Sequence, residues 1–154
     1  MSNKRILILT AGLLVAGISY GQTQSTPVHF AFHAERTGDK TYRVHLTATL
    51  DPGWHIYAQV QPKSAISVPT KIAFTRSPLV ILDGNVVEKG ARETQTIKEA
   101  GIEQYMYEKT VDFVQMVKIK AEVKTTLTGS ITYQVCTDKE CLRAATVPFS
   151  ISIP

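Results

Sequence analysis

Hydrophobic positions in this chain alternate with polar ones, and a period of two predicts strands rather than helices. Val28, Phe30 and Phe32 interleave with His29, Ala31 and His33. After a Gly38-Asp39 turn, Tyr42, Val44, Leu46, Ala48 and Leu50 fall on one side of an extended segment, with Arg43, His45, Thr47 and Thr49 on the other. Asp51-Pro52-Gly53 is a turn, because Pro presets one dihedral and Gly accepts positive φ. It delivers Trp54-His55-Ile56-Tyr57, where alternation sends Trp54 and Ile56 to the core and His55 and Tyr57 to the opposite face. Residues 59–70 read as a loop with Pro62 and Pro69. Ile72 and Phe74 predict a short strand, Pro78 breaks it, and Leu79 to Leu82 lead into an Asp83-Gly84 hairpin signal before Val86-Val87.

From Lys89 to Gln104 the alternation stops, and the segment reads as one helical turn or a mobile loop. A loop of that length in a small domain is more often functional than idle. Strand signals return at Thr110–Lys120, with Val111, Phe113, Val117 and Ile119 on one face, and again at Leu127, Ile131, Tyr133 and Val135. The last run alternates Val147, Phe149, Ile151 and Ile153 with Ser150 and Ser152, and Pro148, which lacks a donor, belongs at a strand start, edge or bulge. Short strands about every ten residues, with turns between them and no helical period, predict an all-β protein: an antiparallel β-sandwich, immunoglobulin-like in topology.

The first residues change the picture of where the protein works. Lys4 and Arg5, the apolar run Ile6 to Ile18, and Ser19-Tyr20-Gly21 have the three parts of a secretory signal. Residues 1–21 are expected to be removed near Gly21, leaving residues 22–154 as one exported domain, periplasmic or secreted. The apolar run is too short to span a bilayer, no other segment is apolar enough, and no cysteine lies near the new N-terminus to carry a lipid. A free, soluble mature domain is therefore expected. Of 17 basic residues two belong to the leader, so 15 face 13 acidic ones. Their scatter along strand-like segments argues against a nucleic-acid partner despite a pI near 9.1.

Both cysteines, Cys136 and Cys141, sit in one short loop between two strand-like runs, a Cys-x4-Cys loop. In an exported chain an even number of cysteines reads as disulfide-forming. As a staple the bond is poor, since closing a loop of about six residues yields only about 2 kcal/mol in the chain-entropy description. A short loop is where a bond stays within reach of other thiols. The first cysteine ends a strand, so no helix N-terminus lowers a thiol pKa, while Asp138 and Glu140 oppose a thiolate and Lys139 and Arg143 favour it. A thiol of ordinary basicity, about 8.5, is expected, dependent on a docked partner for speed.

Other chemistry ranks lower. His29 and His33 have helical metal spacing, but on a strand they lie about 13 Å apart. Cys136, Cys141 and His55 suit a thiophilic ion such as Cu(I), yet exchange ranks ahead of it, and neither a metal nor another cofactor is expected. Gly-x-Ser-x-Gly and glycine-rich phosphate loops are absent. The alternative from a different class is an exported immunoglobulin-like binding module with a structural disulfide.

Three segments resemble the N-terminal periplasmic domain of DsbD, the transmembrane thiol-disulfide reductase: Pro52-Gly53-Trp54-His55-Ile56-Tyr57-Ala58-Gln59, Tyr107 to Gln115, and, most specifically, Gly129 through Cys136 and Cys141 to Thr146-Val147-Pro148. The resemblance implies an immunoglobulin-like domain whose cysteine pair takes electrons from a membrane-embedded thiol reductase and passes them to thioredoxin-like periplasmic proteins. It implies that Cys141 attacks the partner and Cys136 resolves the mixed disulfide. It places the aromatic positions matched by His55 and Tyr57 close to the cysteine loop, as supporting residues. Two positions depart from the family: Arg143-Ala144 stands where Pro-Pro is usual, and Glu99-Ala100 precedes Gly101 where an aromatic cap residue is usual.

Overall fold

The computed structural model describes residues 26–154, so the expected leader and its cleavage point lie outside the described residues. The described residues form eleven strands and a single 3-10 turn: β1 (Val28–Gly38), β2 (Thr41–Leu50), β3 (His55–Tyr57), β4 (Lys71–Phe74), β5 (Val80–Lys89), β6 (Arg92–Ile97), the turn Lys98–Ala100, β7 (Ile102–Glu108), β8 (Thr110–Ile119), β9 (Thr125–Tyr133), β10 (Val135–Cys136) and β11 (Ala145–Ile153). No helix among the described residues is long and apolar enough to cross a membrane.

Three antiparallel sheets form, ordered β1-β2-β8-β5, β10-β3-β7-β6 and β11-β9-β4. Alternation dictates the first: Tyr42, Val44, Leu46, Ala48 and Leu50 all turn inward and are buried, and β8 offers Val111, Phe113, Val117 and Ile119 to the same interior. From the other side come Ile56 and Tyr107, then Leu127, Ile131, Phe149 and Ile153, in one continuous core. This is the antiparallel immunoglobulin-like sandwich that the sequence predicts. β9 runs directly into β10, so one chain segment leaves the third sheet and enters the second just before Cys136.

The Asp51-Pro52-Gly53 turn is formed as expected: Gly53 has φ +81° and Trp54 N donates to Asp51 O at 3.1 Å. Asp83-Gly84 is different, and here the hairpin expectation is corrected. β5 continues through it as one strand paired with β8 on both sides, with a register shift between Asp83 and Val87. The irregularity is a bulge, with Gly84 at φ +72°. Buried Gln115 fills it, its Nε2 donating to Asp83 O, Gly84 O and Met116 O. Gln115 sits at an inward position of β8, so alternation alone gave no reason to place a polar residue there.

Residues 89–104 are corrected as well. The one helical turn is there, as the 3-10 turn Lys98–Ala100, but there is no free loop: the turn and Gly101 at φ +65° close a β6–β7 hairpin paired from Arg92↔Tyr107 to Ile97↔Ile102. β6 is a sheet edge with almost every residue exposed, so no apolar stripe marks it. The backbone ladder holds it instead.

Gly129 is a close-approach position: it lies between Phe74 and Phe149 in the β4-β9-β11 register, and a Cβ there would run into the Ala73 carbonyl oxygen and the Phe149 ring. Gly129→Ala is expected to cost about 1–3 kcal/mol through overpacking. In urea unfolding the midpoint should fall at unchanged slope, whereas an unchanged midpoint would mean that the strands separate there at no cost.

Candidate functional site

β3 is three residues long and buried throughout: His55, Ile56 and Tyr57 are 2%, 0% and 4% exposed. Ile56 enters the core as alternation requires, and Trp54 packs partly buried against it. His55 and Tyr57 lie on the opposite face as expected, but that face is covered and not open to solvent. That face carries Cys136, the register partner of His55, then Tyr57 and Met106, which face each other across the β3–β7 pair. Tyr57, Met106 and Cys136 form a small buried apolar cluster separate from the main core. Between the cluster and solvent lie the 59–70 loop and the cysteine loop.

Polar side chains hold the 59–70 loop in place. Gln61 acts as a strand substitute, accepting from Tyr105 N at 2.9 Å and donating to Tyr105 O at 2.6 Å. Ser67 N donates to Gln104 Oε1 and Val68 N to Gln134 Oε1. Gln134 also donates to Leu142 O, so one side chain ties this loop to both ends of the cysteine loop. Nothing in the sequence marked Gln104, Gln134 or Met106, because their value lies in distant partners: those of Gln104 and Gln134 are 37 and 66 residues away, and Met106 packs with Tyr57 and Cys136.

Cys136 and Cys141 are joined in a disulfide. Their loop is a narrow hairpin held by backbone bonds: Thr137 N donates to Glu140 O at 2.8 Å and Leu142 N to Val135 O at 3.0 Å. Inside the turn the Thr137 hydroxyl accepts from Lys139 N and Glu140 N. The two sulfurs differ in setting: Cys136 is 1% exposed at the end of β10, whereas Cys141 is exposed. Beside Cys141 lies a cleft of about 330 Å³ lined by Tyr57, Ile66, Gln95, Ile97 and Gln104 together with the loop residues. The β6–β7 hairpin thus forms one wall of the site and leaves Cys141 open. Ile66 and Ile97 are the apolar residues of that rim, 73% and 38% exposed.

Cys136, Cys141, His55 and Tyr57 are therefore brought together. His29 and His33 are not part of the site; they lie on β1, where His29 faces Asp51 at 3.4 Å and His33 stacks on His45. His55 Nε2 is 3.4 Å from the Tyr57 hydroxyl. Burial pushes the His55 imidazole below its ordinary pKa, opposed by the carboxylates of Asp138, Glu108 and Glu93. Burial raises the Tyr57 hydroxyl, and a hydrogen bond with Gln104 offsets part of that rise.

A histidine whose pKa is lowered on folding binds its proton better in the unfolded chain, so folding is favoured above the unfolded value of about 6.5 and loses stability as pH falls below it. The His55→Phe variant should lack this contribution. Its stability relative to the wild type should rise as pH drops from about 7 to 5, with a limiting slope of about 1.4 kcal/mol per pH unit. Parallel curves by urea unfolding would contradict it.

No curated protein matches the chain. Among solved structures it is similar to the N-terminal periplasmic domain of ScsB from Proteus mirabilis, at 20% identity and TM-score 0.50, covering 82% of this chain and 44% of that one. It is likewise similar to the Neisseria meningitidis DsbD N-terminal domain in the reduced form, at 16% identity and TM-score 0.50, covering 80% and 84%. The chain thus spans less than half the length of the ScsB chain, and at these identities the likeness concerns the fold. The sequence pattern described as thiol:disulfide interchange protein DsbD, N-terminal, matches residues 22–151. That match takes in every strand but the last residues of β11, and by it the chain belongs to the family of DsbD N-terminal domains, the thiol-disulfide interchange domains.

Proposed function

We propose that residues 22–154 work as an exported, periplasmic electron relay, delivered by the leader 1–21. The cysteine pair accepts electrons from a membrane-embedded thiol reductase and passes them to thioredoxin-like partners. In the reduced domain the Cys141 thiolate attacks a partner disulfide and Cys136 then displaces the partner. The observation that carries this reading is the unequal exposure of the two sulfurs: Cys141 opens onto the cleft and Cys136 is buried in β10. A disulfide partner can reach only the outer sulfur, and the inner one is held next to it.

The hydrogen bonds of the hairpin support the same reading. They run through Thr137, Glu140, Val135 and Leu142 and not through the sulfurs, so reduction removes none of them. Exchange by attack of a thiolate on a disulfide is fastest when the resolving thiol is already positioned. The bond itself closes so short a loop that it adds only about 2 kcal/mol in the chain-entropy description. His55 and Tyr57 support the pair from beneath, shielding Cys136.

In thiol/disulfide buffers the Cys136–Cys141 couple should show a reduction potential above about −300 mV, the range of labile bonds. Cys136→Ala should accumulate a partner adduct through Cys141, and Cys141→Ala should accumulate none. A potential well below that range, or trapping through Cys136 alone, would reject the assignment.

A further inference from the structure

Resolution poses a problem that capture does not. Cys141 meets solvent, but Cys136 is 1% exposed and packed with Tyr57 and Met106. Burial in apolar surroundings raises a thiol pKa, and a protonated thiol is a poor nucleophile. An all-β fold also offers no helix N-terminus to stabilise the thiolate. The proton of Cys136 therefore needs an acceptor within the site.

We propose that His55 is the general base for Cys136, taking its proton as the sulfur attacks the mixed disulfide on Cys141. The inference rests on the exchange reading above. Cys136 and His55 are direct partners in the β10–β3 pair, and the Cβ atoms of such partners lie about 4.5–5.5 Å apart on one face of the sheet. Both are buried, so bulk hydroxide is kept from the thiol, and the register sets the imidazole beside it together with the Tyr57 phenol. Tyr57 and Gln104 continue from the ring into the cleft, which gives the proton a polar route outward.

The surrounding charges suit a base that is neutral at rest and cationic for a moment. Asp138 faces the ring from the cysteine loop, Glu108 from β7 and Glu93 from β6, all carboxylates, with the Tyr57 hydroxyl on β3 itself. Burial holds the imidazole neutral at neutral pH, and the carboxylates stabilise the imidazolium once it forms. In the step itself, the Cys136–Cys141 bond forms, the bond from Cys141 to the partner sulfur breaks, and the partner leaves as a thiolate. His55 holds the Cys136 proton and returns it to solvent or to that thiolate. The domain's dithiol is oxidised and the partner disulfide is reduced.

Dithiobisnitrobenzoate is a probe that separates the two steps, because each releases a coloured thiolate. Reduced protein in excess is mixed with it by stopped flow, in the wild type, His55→Gln and His55→Phe. The first release, from capture by Cys141, should be little changed. The second, from resolution by Cys136, should slow by about 100-fold or more at neutral pH in both variants, the range of general base catalysis. In the wild type the second phase should be flat from neutral pH to the thiol range, and in the variants it should climb about tenfold per pH unit. A wild-type second phase that already climbs this way would overturn the proposal without any variant. So would variants that fold, by circular dichroism, and resolve as fast as the wild type. The relay reading fails by a different sign: a Cys136→Ala protein that never shows the first release.

Discussion

The site depends on a three-residue strand with two buried faces. β3 carries Ile56 into the main core and His55 and Tyr57 beneath the cysteine loop, with β10 on one side and β7 on the other. Because the side-chain period of a strand is two, a slip of one residue would send the imidazole into the core and Ile56 under the sulfur. The core therefore fixes the register of the site. A strand so short has little stability of its own, and it is delivered into place by the tight turn at Gly53 and paired on both edges.

The cysteine loop follows from the same arrangement. β9 and β10 are nearly continuous, and the break between them at Gln134 lets the chain change sheets. Val135 and Cys136 thus join the sheet of β3, while Ala145 onward returns to pair with β9. The loop between them projects from the seam of two sheets, where its outer half meets solvent and its inner half does not. The difference between the two sulfurs is a property of the topology: Cys136 is paired with β3 inside a sheet, and Cys141 lies on the outer half of the loop.

Much of this was legible in the sequence. Alternation in β2 and β11 is uninterrupted, and in β8 and β9 it is broken only at Gln115 and Gly129, because each strand has one face in the core, and the turn at residues 51–53 has its own chemistry. The cysteine pair and its flanking strands were equally plain. What escaped has a common cause. β6 is an edge strand exposed on both faces, the bulge at Gly84 uses the same residues as a hairpin turn, and β3 is covered on both faces, so in none of them does exposure follow a period of two. The cover over β3 is built from Gln61, Gln104 and Gln134, which bond backbone groups far away in sequence. Local pattern contains no trace of such pairings.

A buried resolving thiol places a demand on any fold that uses one. Where the first cysteine begins a helix, the helix dipole and free amides favour the thiolate without a proton acceptor. Here the corresponding cysteine lies in a strand whose backbone groups are engaged with β3, and its other neighbours are an aromatic ring and a thioether. Neither accepts a proton well. The cross-strand position is then the place from which a side chain can serve the sulfur, and in this chain it holds an imidazole. A phenol there would remain protonated through neutral pH and offer a hydrogen bond, whereas an imidazole kept neutral by burial offers a lone pair. The identity of one residue on β3 thereby decides whether the inner thiol waits for hydroxide or reacts within the site.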